Sequence, residues 1–251
     1  MTSTPAAADG SQADRRACLE RLRGGVIVSV QAQSHEPFYA DAPFCALAQS
    51  VLDGGALGLR LAGARHIALM RAAHPDLTII GLSKPDPIPA DARDRVYITP
   101  GFADVAELAR AGASIVALDA TDRPRPEGET VSDIVARARQ CFPALGLMAD
   151  CACMADVRRA NVLGFDLIST TLSGYTNATQ ARDNGAPDFD LLREAVAAAG
   201  APVACEGRLW EPSQVAEAFA LGACCVVIGS ALTRPHLATR RFVNASPLGA
   251  V

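Results

Sequence analysis

Short, almost continuously apolar runs alternate along this chain with longer segments whose apolar residues recur at three- and four-residue intervals. Val26-Ile-Val-Ser-Val30 is the first such run, and Phe44, Leu47, Ala48, Val51 and Leu52 follow at helical spacing. A run of four to six apolar residues without alternation is what a parallel strand buried on both faces requires. Amphipathic spacing over ten or more residues predicts a helix laid against that sheet. Further strands are predicted at 56–60, 77–82, 114–118, 145–149 and 165–169, with the last two beginning at Val203 and Val226. Helices are predicted at 63–73, 103–111, 130–142, 154–163 and 189–199. Val96-Tyr-Ile-Thr99 is an additional short extended piece, so the strand count is eight within one either way. Strict strand–helix alternation with right-handed crossovers, and no Gly-x-Gly-x-x-Gly after the first strand, predict one domain, a (β/α)8 TIM barrel over residues 21–251.

Punctuation refines this outline. Asp41 is placed to cap a helix that has Pro43 in its first turn, and Gly54-Gly55 stops it. Pro85, Pro87 and Pro89 forbid regular structure after Lys84, which makes that loop a semi-rigid flap. The polar stretch from Thr170 to Gly185 is long for a compact domain, and such loops are usually functional. Residues 1–20 are expected to be a disordered leader, rich in Ala, Ser and Thr through Gln12, running into the start of an N-terminal helix. That leader has no apolar core of a signal peptide, and no run approaches the length of a membrane span.

Polar groups close the apolar runs: Gln31, Arg60, Lys84, Asp119, Asp150, Glu206 and, beyond the last strand, Arg234. In a barrel these strand ends open on one face, where active sites of this architecture lie. The alternative is a ring of stabilising ion pairs in the mouth. Arg60 cannot stay unpaired in an apolar core, so it points out of the barrel end or meets an anion. Lysine and glutamate facing one cavity suit proton transfer at a carbon next to a carbonyl, given a lysine that is neutral when it acts. Burial and Arg60 favour that state for Lys84, whereas Glu206 opposes it. Gly207, Gly229 and Ser230 offer backbone N–H groups for a phosphate. Alone, they read equally well as turn residues, with Glu206 as a strand-end ion-pair partner. Tyr175 either covers a substrate or closes its loop by packing, Trp210 is a packing or subunit-contact residue, and His35 and His66 are surface or structural.

Composition narrows the partners. Of 251 residues half are apolar, enough for one large core, and a net charge of −4 without a basic block leaves no footprint for nucleic acid or a membrane surface. A small anion needs only local positive charge. Of the eight cysteines, Cys45, Cys205, Cys224 and Cys225 lie in apolar runs, where free cysteine acts as a small hydrophobe, and Cys151-Ala-Cys153 lacks redox or zinc spacing. No metal site is expected, and a reducing cytoplasm is the natural compartment.

Nine blocks in order carry a family resemblance: Gly24-Gly-Val-Ile-Val-Ser-Val-Gln-Ala32, Leu57-Gly-Leu-Arg60, Gly81-Leu-Ser-Lys84, Val96-Tyr-Ile-Thr-Pro100, Ala117-Leu-Asp-Ala-Thr121, Met148-Ala-Asp150, Ser169-Thr-Thr-Leu-Ser-Gly-Tyr-Thr176, Cys205-Glu-Gly-Arg208 and Val227-Ile-Gly-Ser-Ala-Leu-Thr-Arg-Pro235. With them the sequence resembles the N-acetylmannosamine-6-phosphate 2-epimerase family of (β/α)8 enzymes. The resemblance implies interconversion of N-acetylmannosamine 6-phosphate and N-acetylglucosamine 6-phosphate by exchange of the C2 proton, in sialic-acid catabolism, without metal or redox cofactor. It implies Lys84 as the C2 acid/base and Glu206 as its partner in proton transfer or ring opening. Gln31, Arg60, Asp150, Tyr175 and Arg234 would hold the sugar phosphate, and Gly207, Gly229 and Ser230 its phosphate. Pro85-Asp-Pro87 departs from the basic and aromatic residues that the family commonly has there, as do Cys151-Ala-Cys-Met154 and Val30 from its usual residues. A homodimer is among the expectations. The rival readings are a Schiff-base lyase or aldolase acting through Lys84 and a sugar-phosphate sensor without catalysis.

Overall fold

In a computed structural model, which describes residues 5–126 and 128–247, eight parallel strands close into a barrel in sequence order. They are β1 (Val26–Val30), β2 (Gly58–Ala62), β3 (Thr78–Leu82), β4 (Ile115–Asp119), β5 (Gly146–Asp150), β6 (Leu167–Ser169), β7 (Val203–Glu206) and β8 (Cys225–Ile228). Pairing of Val26, Ile27 and Val28 with Val226, Val227 and Ile228 seals the ring. The fold is the expected (β/α)8 barrel.

Seven outer helices return the chain between strands: α2 (Asp41–Asp53), α3 (Ala64–Ala73), α4 (Phe102–Arg110), α5 (Val131–Cys141), α6 (Met154–Leu163), α7 (Phe189–Ala198) and α8 (Pro212–Ala220). The N-terminal helix α1 (Pro5–Glu20) precedes the barrel, and α9 (Ser230–Thr233) and α10 (Pro235–Asn244) follow it. Alternate strand residues enter two separate cores. Val28, Leu59, Leu61, Val116, Leu118, Leu147, Ile168 and Val226 pack outward against the helices. Ile27, Ile80, Leu82, Ile115, Ala117, Met148, Leu167, Ala204, Cys225 and Val227 fill the interior with Cys18 and Leu19 from the end of α1 and Leu22 from the turn that follows it. Thus α1 plugs the N-terminal end of the barrel, leaving the opposite end for chemistry.

Several expectations change. The leader was expected to be disordered through Gln12, yet α1 already begins at Pro5; residues 1–4 lie outside the described residues. Val96-Tyr-Ile-Thr99 is not a strand. It is loop pinned to the end of β3, with Thr99 N–H donating to Ser83 O at 2.9 Å and Ser83 N–H donating to Thr99 Oγ1 at 3.1 Å, which leaves eight strands. Ala40, not Asp41, occupies the cap of α2, and Asp41 is instead a first-turn acid paired with Arg65 at 2.6 Å. β2 runs two residues beyond Arg60, so Arg60 lies within the strand and points into the barrel. Thr130 caps α5, accepting from Asp133 N–H at 3.1 Å.

Candidate active site

Period-two geometry carries the interior rows of each strand up to the mouth. Two residues beyond the interior Leu82 comes Lys84; beyond Met148, Asp150; beyond Ala204, Glu206. Ile27 leads through Ser29 to Gln31, and Leu167 through Ser169 to Thr171. The switch from apolar to polar at this level lines a cavity of about 300 Å³ with Gln31, Arg60, Lys84, Tyr175, Glu206 and Arg234. Gly207, Gly229 and Ser230 line it as well. Positive φ at Gly207 (+110°) lets the chain turn directly after Glu206 without a side chain in the cavity.

Arg60 is 1% exposed and crosses the barrel from β2. Its Nη1 and Nη2 donate to Asp150 Oδ1 at 3.0 Å and Oδ2 at 2.6 Å, and Nη1 also donates to Glu206 Oε2. A bidentate pair of this kind fixes the guanidinium plane. Arg60 therefore meets anions, but they are carboxylates of the barrel itself. Its Nε is buried with no hydrogen-bond partner among the described residues. Asp150, fully buried behind Arg60, is not among the residues lining the cavity, and its carboxylate orients the Arg60 guanidinium.

Lys84 and Glu206 face one another across the mouth, since β3 and β7 stand four strands apart in a ring of eight. The Lys84 ammonium makes no hydrogen bond or ion pair with the described residues. Burial, with the Arg60 and Arg234 charges, draws it down to about 8 against the pull of Glu206 and Asp150. Burial pushes Glu206 up to about 7; Arg60, a Thr171 hydrogen bond and Lys84 oppose the rise and Asp150 adds to it. Two groups with opposite ordinary charges are thereby brought to similar proton affinities near neutrality, the condition for efficient exchange of a proton with substrate.

The remaining wall is held by clamps. Arg234 Nε lies 3.3 Å from Glu36, and its Nη2 donates to Gln31 O at 3.4 Å. Gln31 Nε2 donates to Ser29 Oγ at 2.7 Å. Arg208 donates to Ala186 O at 2.6 Å and Ser173 O at 2.7 Å, and its guanidinium lies over the Tyr175 ring at 5.4 Å. Tyr175 lines the cavity, with its ring under the Arg208 guanidinium. His66 is structural, stacked on Phe44 with ring centroids 3.8 Å apart. Asp119 is fully buried and taken up by Thr121 and Arg123, outside the cavity. All eight cysteines are free thiols.

The family described as "NanE: Putative N-acetylmannosamine-6-phosphate epimerase" matches residues 44–247. The chain belongs to this epimerase family. A relative from Listeria welshimeri, named "Putative N-acetylmannosamine-6-phosphate 2-epimerase", is 38% identical over 225 residues, covering 90% of this chain and 93% of its own. One of the same name from Enterobacter sp. (strain 638) is 40% identical over 227 residues, covering 90% and 94%. The solved N-acetylmannosamine-6-phosphate 2-epimerase from Clostridium perfringens superposes with a TM-score of 0.83 at 37% identity, covering 91% of this chain and 96% of that one. A thiamine phosphate pyrophosphorylase from Pyrococcus furiosus shares the fold alone, at TM-score 0.56 and 16% identity.

Two residues of this epimerase-family site escaped the sequence reading. Thr171 bonds both carboxylates, and Arg208 clamps the long loop. Continuing the period-two row from Leu167 through Ser169 marks Thr171. Arg208 carries no such signal, because it adopts φ +57° just beyond the strand and leaves the row.

Proposed function

We propose that the protein interconverts N-acetylmannosamine 6-phosphate and N-acetylglucosamine 6-phosphate by removing and returning the proton at C2. The observation that carries this is the Lys84/Glu206 pair, opposed across one cavity and tuned from both sides toward neutral pH. In the ring-opened sugar, C2 lies next to the C1 carbonyl. Neutral Lys84 takes the C2 proton as the C–H bond breaks, and the electron pair moves onto the carbonyl oxygen. Delivery of a proton from Glu206 to the other face of C2 inverts that centre; the reverse reaction exchanges the two roles. Arg60 supplies positive charge beside the developing oxyanion. Arg234, Gln31 and Tyr175 hold the sugar phosphate, and the N–H groups of Gly207, Gly229 and Ser230 take its phosphate.

Incubation in D2O should place deuterium at C2 of N-acetylmannosamine 6-phosphate and yield N-acetylglucosamine 6-phosphate, followed by NMR. Purified protein giving neither would end this reading. Borohydride trapping of substrate on Lys84 would favour the Schiff-base lyase, and tight binding without exchange the sensor.

The same pair sets the pH dependence. Below the lower of its two proton affinities both groups are protonated and no base is present; above the higher both are bare and no acid is present. The active state holds one proton between them. The kcat profile should therefore be a bell rising through about 7 and falling beyond about 8. A rate that climbs without a maximum to pH 10 contradicts the shared-proton mechanism.

No helix among the described residues is long and apolar enough to cross a membrane. Free thiols and a sugar-phosphate substrate support a cytoplasmic location. A homodimer is our expected assembly, to be measured by sedimentation velocity.

A further inference from the structure

Thr171 stands between the two carboxylates that Arg60 binds. Its Oγ1 is 2.8 Å from Asp150 Oδ1, 3.0 Å from Glu206 Oε2, 2.8 Å from Ser169 Oγ and 3.3 Å from Arg60 Nη1. Arg60 Nη1 has two hydrogens for three oxygens, and the charged carboxylates are both nearer to it than Thr171. Ser169 Oγ has no other partner among the described residues, so it donates to Thr171. Thr171 is then left with one proton and two carboxylates that can accept it. Asp150 already holds a bidentate guanidinium; Glu206 holds one N–H of it. An ionised Glu206 has the greater need.

We infer that Thr171 is a positioning residue for the proposed C2 chemistry: its single hydroxyl proton holds Glu206 ionised and turns to Asp150 whenever Glu206 is protonated. This rests on Glu206 acting in that reaction. When Glu206 gains a proton its Oε–H bond forms as the donor's bond to that hydrogen breaks. Oε2 then no longer needs a hydrogen from Thr171, and the hydroxyl turns through a single torsion to Asp150 Oδ1. Thr171 itself exchanges no proton, so it stays available on every turnover. The other groups facing Glu206 are Arg60 from β2 and Lys84 after β3, which favour its ionised form, and Asp150 from β5, which disfavours it. Among these groups Thr171 is the neutral one, and a torsion alone redirects its donor.

Thr171→Val keeps the shape and removes the donor, whereas Thr171→Ser keeps the donor. In Thr171→Val the acid limb of the kcat profile should move to higher pH by about one pH unit, the order expected for a lost charge-assisted hydrogen bond. The alkaline limb should stay near its wild-type position, and Thr171→Ser should restore the wild-type bell. Thr171→Ala provides the same test should the valine crowd its neighbours. Independently of turnover, 13C titration of Glu206, assigned by its loss in Glu206→Gln, should show the same upward displacement in Thr171→Val and none in Thr171→Ser. An unmoved Glu206 titration in the folded valine or alanine variant, or a displaced one in the serine variant, overturns the inference. Absence of C2 exchange in wild-type protein overturns the epimerase reading instead, because the carboxyl titration still decides the role of Thr171.

Discussion

Lys84→Ala should lower kcat by about 10²–10⁴-fold, the contribution of a well-placed acid–base group, and stop deuterium entry at C2. Thermal unfolding should stay close to wild type. The reason lies in how Lys84 is held. Its side chain projects past the end of β3 and makes no hydrogen bond or ion pair with the described residues. Truncation therefore orphans no buried partner and relieves the burial of an ammonium that two arginines already repel. The backbone that places it is anchored one residue earlier, where Ser83 Oγ donates to Asp104 at 2.7 Å and Ser83 exchanges hydrogen bonds with Thr99. Those contacts survive the substitution. Glu206→Gln should lose exchange to a similar degree, because an amide can neither take nor return the proton. Near-normal exchange in Lys84→Ala would remove Lys84 from the mechanism, and a Tm fall of many degrees would show that it braces the barrel.

Much of this site was legible because a barrel converts sequence order into angular order. Once eight apolar runs are counted, the groups ending the third and seventh must face one another, so the Lys84/Glu206 opposition follows from topology alone. Depth along a strand was less legible. Apolar runs mark where burial begins but not the register at which it stops facing substrate, so Asp150 and Arg60 read alike as mouth residues although one lies behind the other. β2 reads as ending at Arg60 because a charge looks like a terminus; the strand continues because two carboxylates from β5 and β7 neutralise that charge from across the barrel. Such long-range compensation leaves no local trace. The extent of the N-terminal helix is hard to read for a related reason. Its first residues are largely Ala, Gly and polar types without an apolar stripe, and only Cys18 and Leu19 near its end, with Leu22 just beyond it, reach the interior core.

The compensation at Arg60 also makes it the residue whose loss should cost most. Arg60→Met preserves much of the volume and the apolar stem but withdraws every donor from Asp150 Oδ2 and one from each of Asp150 Oδ1 and Glu206 Oε2. Two carboxylates are then left inside the mouth, with the Thr171 hydroxyl able to serve one of them at a time. Removing one partner from a buried ion pair typically costs about 3–5 kcal/mol, so a large drop in the urea midpoint is expected, together with loss of C2 exchange. The sign of its pH dependence separates this cause from simple misfit. Without the guanidinium, which opposes the rise in wild type, Glu206 in the folded variant should hold its proton more tightly still, and more tightly than the unfolded chain does. Its folded state then binds more protons, and its stability rises as pH falls. The stability deficit relative to wild type should accordingly shrink between pH 8 and pH 6, since the missing charge is partly replaced by a proton on Glu206. Equilibrium unfolding at the two pH values measures this directly. A deficit that is equal at both, or that grows toward acid, would mean that Arg60 stabilises the barrel by packing and that its charge is not what restrains proton binding by Glu206 in the mouth.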